Sequence, residues 1–100
     1  MPEPVLFVSI GTPDPEQSDA LMEYAEKAPP LLVAAGAVPK TRAKLVEQLV
    51  GADAPGTLFV AEFPSVEAVK SVFSSDAYTA LIPTRDKAFT DLKFLIMEAF

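Results

Sequence analysis

Three side chains in the second half of the sequence are of types that could do chemistry together: Glu62, Tyr78 and Arg85. Tyr78 and Arg85 are seven residues apart, which places them on one face of a continuous helix. There an arginine could hold a carboxylate or an enolate with two hydrogen bonds, while the phenol donates a third. An equally well supported interpretation makes the tyrosine a packing residue and the arginine a capping or ion-pairing residue.

Glu62 lies in a predicted strand between Ala61 and Phe63, where an unpaired carboxylate would be costly. We expect it either to act as a general acid or base or to be neutralised by a cation such as Arg85 or Arg42. We favour the structural ion pair over catalysis, because ion pairs between buried charges are common outside active sites.

A second group of charges, Lys40, Arg42 and Lys44, alternates with uncharged residues. In a strand all three would share one face, where they could bind an anion. Alternating cations on an edge strand are more often a solvated face that discourages edge-to-edge pairing, and we favour that interpretation. The residues predicted to bind a ligand are therefore Arg85, Tyr78, Glu62 and, with less weight, Arg42.

The composition excludes much other chemistry. The sequence contains no Cys and no His, so it offers no thiolate nucleophile, zinc–thiolate site, histidine base or histidine-ligated haem. We predict no metal site and no cofactor. Any reaction must use carboxylates, Tyr, Lys, Arg, hydroxyls or a cofactor that the sequence does not reveal.

The net charge is −6, from 14 acidic and 8 basic residues, and no basic residue precedes Lys27. Nucleic acids and anionic membranes both require clustered positive charge, so we expect neither as a partner. The apolar runs are too short to span a bilayer, and the N-terminus lacks the positive region of a secretory signal. A cytoplasmic location is the default expectation.

The elements that must position these residues follow from the hydrophobic pattern, and 100 residues are enough for one domain spanning 1–100. Aliphatic and aromatic runs predict strands, and apolar stripes at helical spacing predict helices. The predicted order is strand, helix, strand, strand, helix, strand. The strands are expected at Val5–Ile10, Val38–Val50, Leu58–Phe63 and Asp91–Phe100.

The first predicted helix has clear start and stop signals. Asp14 is expected to cap it, with Pro15 at the first helical position. Pro29 and Pro30 should kink the helix or make it restart, because each removes a backbone N–H. Gly36 should end it.

Val38–Val50 is the ambiguous segment, because good helix formers in its later half would also permit a helix. Its position between two strand-like segments, before a Gly51–Gly56 loop, favours a long bent strand in a hairpin. After the next strand, Pro64 should end the strand and Ser65 should cap the second helix.

This order is what a split βαβ plan requires, with right-handed crossovers placing both helices on one side of a four-stranded antiparallel sheet. We therefore predict an α+β, ferredoxin-like βαββαβ fold, with Tyr24, Phe7, Phe94 and Met97 in the core. The face without helices is also apolar, and a monomer would expose it. Packing two such sheets face to face buries it, so we predict a homodimer.

The segment EFPSVEA at Glu62–Ala68, the SSDAY segment that ends at Tyr78, and Arg85 resemble a small bacterial family, domain of unknown function 1330 (DUF1330), in the dimeric α+β barrel superfamily. Gly36 and Arg42 fit the same frame, so the likeness spans nearly the whole chain. The resemblance implies a ferredoxin-like dimeric α+β barrel and no agreed activity. Cofactor-free monooxygenases, small-ring isomerases and haem enzymes all occur in that superfamily.

Two functions remain open from the sequence. In the first, the homodimer binds a small organic ligand, neutral or anionic, between helices and sheet, in a pocket lined by Glu62, Tyr78, Arg85 and apolar side chains. Any chemistry there would be proton transfer or cofactor-independent oxidation. In the second, the dimer is a non-catalytic association or ligand-carrying module, in which the same polar residues only satisfy one another.

Overall fold

The computed structural model describes residues 3–100, which form four strands and four helices. The predicted order of elements is confirmed, except that the second helical region is divided into three short helices. The elements are β1 (Val5–Pro13), α1 (Ser18–Ala34), β2 (Val38–Lys44), β3 (Thr57–Phe63), α2 (Val66–Phe73), α3 (Asp76–Thr79), α4 (Ile82–Ala88) and β4 (Phe89–Met97).

The strands form one antiparallel sheet in the order β2-β3-β1-β4. Consecutive halves of the chain thus interleave, since β1 and β3 occupy the centre and β2 and β4 the edges. Both crossovers use helices that pack on the same face of the sheet. The α+β, ferredoxin-like fold predicted from the sequence is confirmed.

One face of the sheet holds the core. Val5 and Phe7 of β1 lie opposite Phe63 and Ala61 of β3, and all four are buried. Above them pack buried side chains of α1 and α2, namely Leu32, Val69 and Val72. Each such side chain removed from water stabilises the fold by roughly 1.5–3 kcal/mol, so burial of this face fixes the register of the strands.

The other face of the sheet is apolar and carries no helix. Because side chains alternate across a strand, this face presents residues of β1, β3 and β4 that belong to neither core cluster. These residues are only half-buried: Leu6, Val8, Ile10, Leu58, Val60 and Leu95. The expectation of a second apolar face is therefore met.

The start of α1 differs from the prediction. The helix begins at Ser18 after Gln17, and Asp14 does not cap it. Instead the Asp14 carboxylate accepts a hydrogen bond from the Glu16 backbone N–H at 2.9 Å, while its carbonyl accepts one from Gln17. The reason is that β1 extends through Pro13 to pair with Phe89. The chain must therefore complete a turn before the helix can start.

The rest of α1 also departs from expectation, because the helix runs without a restart through Pro29 and Pro30. Burial of Ala28 and Leu32 on either side holds its two halves on the sheet. The predicted stop is confirmed: Gly36, just past the C-cap, has φ = +99°. That conformation suits glycine, and an added Cβ would lie 3.2 Å from Cγ of Pro64.

β2 is shorter than predicted. It ends at Lys44, because its partner β3 begins at Thr57, and residues 45–56 form an irregular loop that Leu45 and Gly56 close with a 2.8 Å hydrogen bond. The pairing of β2 with β3 shifts between Pro39 and Thr41. Lys40 is the extra residue of this bulge, next to a proline that cannot donate to the ladder.

The last strand is shifted towards the N-terminus relative to the prediction, beginning at Phe89 and ending at Met97. It starts directly after α4 and pairs with β1 along nearly its whole length. The prediction that Met97 is a core residue is wrong, because Met97 lies opposite Leu6 on the face without helices and is 46% exposed. Within residues 3–100, no helix combines the length and the apolar character needed to cross a bilayer.

Candidate functional site

A cavity of about 650 Å³ lies between α1 and the helix-covered face of the sheet. Its size falls in the range of small-molecule sites. Five phenylalanine rings from β1, β3, β4 and α2 contribute to its wall: Phe7, Phe59, Phe73, Phe89 and Phe94. We call this space the main cavity.

The floor of the main cavity is one row of the sheet. Ser9 of β1 lies opposite Phe59 of β3 on one side and Phe94 of β4 on the other, and Arg42 of β2 lies opposite Phe59. The small serine between two rings leaves a trough in the sheet. The roof is α1, which turns Leu21, Tyr24 and Ala28 towards the floor at intervals of three and four residues.

Arg42 and Lys44 both line the main cavity, at its edge on β2. The bulge at Lys40 interrupts the alternation of β2, and Lys40 does not line the cavity with the other two cations. Arg42 and Lys44 occupy the helix-covered face, and their exposed positions keep both charges hydrated. Neither forms an ion pair with another residue of the described part, 3–100.

Behind the main cavity, Tyr24 and Tyr78 share a hydrogen bond of 2.6 Å between their hydroxyl oxygens. Arg85 Nη1 donates to the same Tyr78 oxygen at 3.4 Å. The guanidinium carbon lies 5.8 Å from the centroid of the Tyr78 ring and 5.8 Å from that of Phe94, within the range of cation–π attraction. We call Tyr24, Tyr78 and Arg85 the phenol chain.

Tyr78 and Arg85 are brought together although they do not share one continuous helix. Tyr78 is in α3, whose cap is Ser75, and Arg85 is in α4, which restarts after Leu81. The Ser75 hydroxyl accepts from the Tyr78 backbone N–H at 3.2 Å and fixes the start of α3. Leu81, buried beside Tyr78, anchors the joint between the two helices.

Burial and charge set the protonation of the phenol chain. Burial raises the pKa of Tyr24 well above its usual value. Burial acts to lower the pKa of Arg85, but its contacts with Tyr78 and Asp86 outweigh this effect and the pKa is raised. Around neutral pH, Tyr24 therefore keeps its proton and Arg85 its positive charge.

Glu62 is not part of this arrangement. It lies opposite Leu6 and Val38, on the face of the sheet that carries no helix, because the neighbouring Ala61 and Phe63 point into the core. It lines neither cavity described in this section. The expected ion pair between Glu62 and Arg85 is not formed within residues 3–100, where Arg85 pairs with Asp86 at 3.3 Å.

Arg85 lines a second, smaller cavity of about 430 Å³, next to Asp86 and to Thr90 and Asp91 of β4. Phe89 and Phe94 contribute to both cavities and separate them. Tyr78 lines neither and is 1% exposed. The structure thus places Arg42 at the main cavity, Arg85 at the smaller one and Tyr78 between them.

Tyr24, which we expected in the core, lies at its edge, where it packs against the buried cluster of Ala28, Tyr78 and Leu81. It is half-buried and lines the main cavity. The sequence contained a signal for its polar contact, because a tyrosine hydroxyl within a stripe of Leu and Ala must find a hydrogen-bond partner when it is buried. Within residues 3–100 no cluster of three or more acidic side chains is placed to hold a metal ion.

A family model described as "Domain of unknown function (DUF1330)" matches residues 8–100. The chain belongs to the DUF1330 family. The family membership that the EFPSVEA segment suggested is therefore confirmed. No curated protein matches the sequence.

Several solved structures share the fold. The RPA0582 protein of unknown function from Rhodopseudomonas palustris has a TM-score of 0.83 at 17% identity, covering 100% of this chain and 85% of that one. SnoaB, a cofactor-independent oxygenase from Streptomyces nogalater, has a TM-score of 0.69 at 12% identity, covering 98% and 94%. A dimeric protein of unknown function and ferredoxin-like fold from Bacteroides fragilis has a TM-score of 0.65 at 11% identity, covering 96% of each chain.

Proposed function

We propose that this DUF1330 protein is a homodimer that binds a small, largely aromatic organic anion in the main cavity. The observation that carries the proposal is the lining of that cavity, in which five phenylalanine rings form much of the wall and two cations, Arg42 and Lys44, lie at the edge. Few polar groups in a mostly apolar wall are what fix the orientation of a small-molecule ligand.

The charge of the ligand follows from the charged groups of the lining. Arg42 and Lys44 are cationic, and no Asp or Glu is among the lining residues. In a protein with a net charge of −6, this local excess of positive charge favours an anion at the edge and disfavours a cation. Arg42 can hold a carboxylate or a phenolate with parallel hydrogen bonds.

Chemistry in the main cavity is limited by the same lining. A general base is most often His, Asp or Glu, and Glu62 lies on the other face of the sheet. A reaction in this cavity therefore requires a ligand whose own phenol or enol is acidic. Arg42, Lys44 and Tyr24 would stabilise the resulting anion. The fold shared with the cofactor-independent oxygenase SnoaB is compatible with such a substrate.

The missing carboxylate also supports the second candidate function, a dimer that carries its ligand without changing it. The two candidates make different predictions for one experiment. A ligand with an acidic phenol should be consumed by an enzyme in the presence of dioxygen and recovered unchanged from a carrier. Recovery of the intact ligand after long incubation with the protein would favour the carrier.

The second copy of the homodimer is proposed to cover the open face of the sheet. That face is apolar around Val8, Val60 and Leu95. The loop that directly follows β2 exposes further aliphatic side chains, with exposed fractions of 49%, 97%, 85% and 91% for Leu45, Val46, Leu49 and Val50. Exposed apolar surface of this kind marks association sites. Glu62 would then face the partner copy.

The test of ligand binding uses 2-naphthoate as the probe and calorimetry as the measurement. We expect binding in the wild type and a loss of about threefold to fivefold in affinity for Arg42→Gln, the range for an exposed ion pair. Lys40→Gln is the matched control, because Lys40 lies in the bulge and does not line the cavity. No binding by the wild type, or an equal loss in both variants, would contradict the proposal.

A further inference from the structure

We infer that Tyr24 is the hydrogen-bond donor of the main cavity, and that it selects ligands with an acceptor oxygen, such as a ketone carbonyl, an enolate or a phenolate, on their aromatic body. The inference rests on the proposed binding of aromatic anions in the same cavity. It adds the polar group that the ligand must present to α1, away from Arg42 and Lys44.

The direction of the hydrogen bonds in the phenol chain follows from what each group can do. Arginine has donors and no acceptor, so the Tyr78 oxygen accepts from Arg85 Nη1 at 3.4 Å. Tyr78 is 1% exposed, and its own proton must find an acceptor inside the protein. Within residues 3–100 the Tyr24 oxygen, 2.6 Å away, is the only acceptor that its hydroxyl reaches.

Tyr78 therefore donates to Tyr24, and the proton of Tyr24 points elsewhere. Among the described residues the Tyr24 hydroxyl contacts no acceptor other than the Tyr78 oxygen, which the proton of Tyr78 already occupies. Tyr24 lines the main cavity. Its proton is therefore available to a molecule in that cavity, and a ligand oxygen there completes the chain.

The chain also makes Tyr24 a stronger donor than an isolated phenol. The charge of Arg85 polarises Tyr78, and Tyr78 in turn polarises Tyr24, because hydrogen bonds in series reinforce one another in a medium of low dielectric constant. Burial raises the pKa of Tyr24, so around neutral pH the phenol keeps the proton that it donates.

This arrangement discriminates between ligands of one shape. An acceptor oxygen satisfies the Tyr24 proton, whereas a hydrocarbon of the same outline leaves that proton unpaired in a largely apolar cavity, which costs affinity. An N–H donor could use only the remaining lone pair of the Tyr24 oxygen and would leave the proton unpaired as well. Acceptor-bearing aromatic anions are therefore the preferred class.

The experiment compares two probes, 6-acetyl-2-naphthoate and 6-ethyl-2-naphthoate, which differ in the carbonyl oxygen. Tyr24→Phe should weaken binding of the acetyl probe by about fivefold to tenfold, as expected for one hydrogen bond, and should strengthen binding of the ethyl probe, which no longer leaves a proton unpaired. The infrared carbonyl stretch of the bound acetyl probe should be lower in frequency in the wild type than in Tyr24→Phe. Tyr78→Phe should remove part of that shift by removing the donor behind Tyr24.

The outcomes separate the two proposals. If both probes bind and Tyr24→Phe changes neither the affinity for the acetyl probe nor its stretch, Tyr24 is not the donor and the proposed cavity still stands. If no naphthoate binds the wild type, the proposed function fails and the inference fails with it. If Tyr24→Phe does not fold, the wild-type stretch decides: a value matching the probe in alkane overturns the inference, and a lowered value supports it.

Discussion

Tyr24 and Tyr78, which are 54 positions apart in the sequence, share a hydrogen bond of 2.6 Å that ties α1 to α3. Their rings meet edge to face, with centroids 6.3 Å apart. The bond joins a side chain that lines the main cavity to one that is fully buried. The same contact therefore serves packing and the candidate site.

The first prediction concerns the energy of this bond. Tyr24→Phe and Tyr78→Phe should each lower the free energy of unfolding. The double variant should lose less than the sum of the two single losses, with a coupling energy of about 1 kcal/mol. Urea unfolding at one fixed protein concentration measures it. In the control pair, Tyr24→Phe with Thr79→Val, the effects should add, because the Thr79 hydroxyl donates to Ser75 within its own turn. Additivity in the tyrosine pair would contradict the prediction.

The second prediction concerns the end of α1. Gly36→Ala should lower the free energy of unfolding by about 1–3 kcal/mol, because alanine strains at a positive φ and its Cβ meets the ring of Pro64. Gly51 is the matched control, with φ = +93° and only the flexible Gln48 side chain near its added Cβ. Gly51→Ala should cost less. Equal losses in the two variants would show that Pro64 makes no difference.

The third prediction concerns pH. Glu23 of α1 accepts a hydrogen bond from Thr84 of α4 at 2.9 Å and pairs with Lys27 at 3.2 Å. The Thr84 hydrogen bond, followed by the contact with Lys27, lowers the pKa of Glu23 below its ordinary value of 4.5. A lowered pKa in the folded state contributes stability above the unfolded-state value, and that contribution is lost as the pH falls through the folded-state pKa.

The measurement is the difference in Tm between the wild type and Glu23→Gln. We expect the wild type to be more stable at about pH 6 and the difference to shrink towards about pH 3, as the carboxylate is protonated. Glu26→Gln, on the same helix, is the control and should show no such change. A Tm difference that is constant across this range would contradict the assignment.

The fourth prediction concerns the second copy. The wild type should be a dimer by light scattering, and Val8→Lys, at the centre of the open face between Val60 and Leu95, should dissociate it while circular dichroism still shows a folded chain. Met22→Lys is the control, because Met22 is 69% exposed on α1. A monomeric wild type, or a Val8→Lys variant that stays dimeric, would place the interface elsewhere or remove it.

The sequence by itself determined the order of elements and the class of fold. The alternation in β1 and β3 and the apolar stripe of α2 specify which side chains must leave water, and local signals such as Ser65 and Gly36 specify where helices start and stop. These signals depend on residues close together in the sequence and on the spacing of apolar residues, so they are visible in the sequence itself. The absence of Cys and His excluded thiolate and histidine chemistry without any knowledge of the fold.

Only the tertiary structure decided which polar residues meet. Side chains alternate between the two faces along β3, and burial of Ala61 and Phe63 under the helices places Glu62 on the opposite face. The packing of α1 over the sheet brings Tyr24 to Tyr78. Both outcomes depend on contacts between residues that are distant in sequence, and a one-residue change in the register of β3 would move Glu62 to the other face. For this reason the sequence predicted the phenol and the guanidinium of α3 and α4, but not the tyrosine that connects them to the cavity.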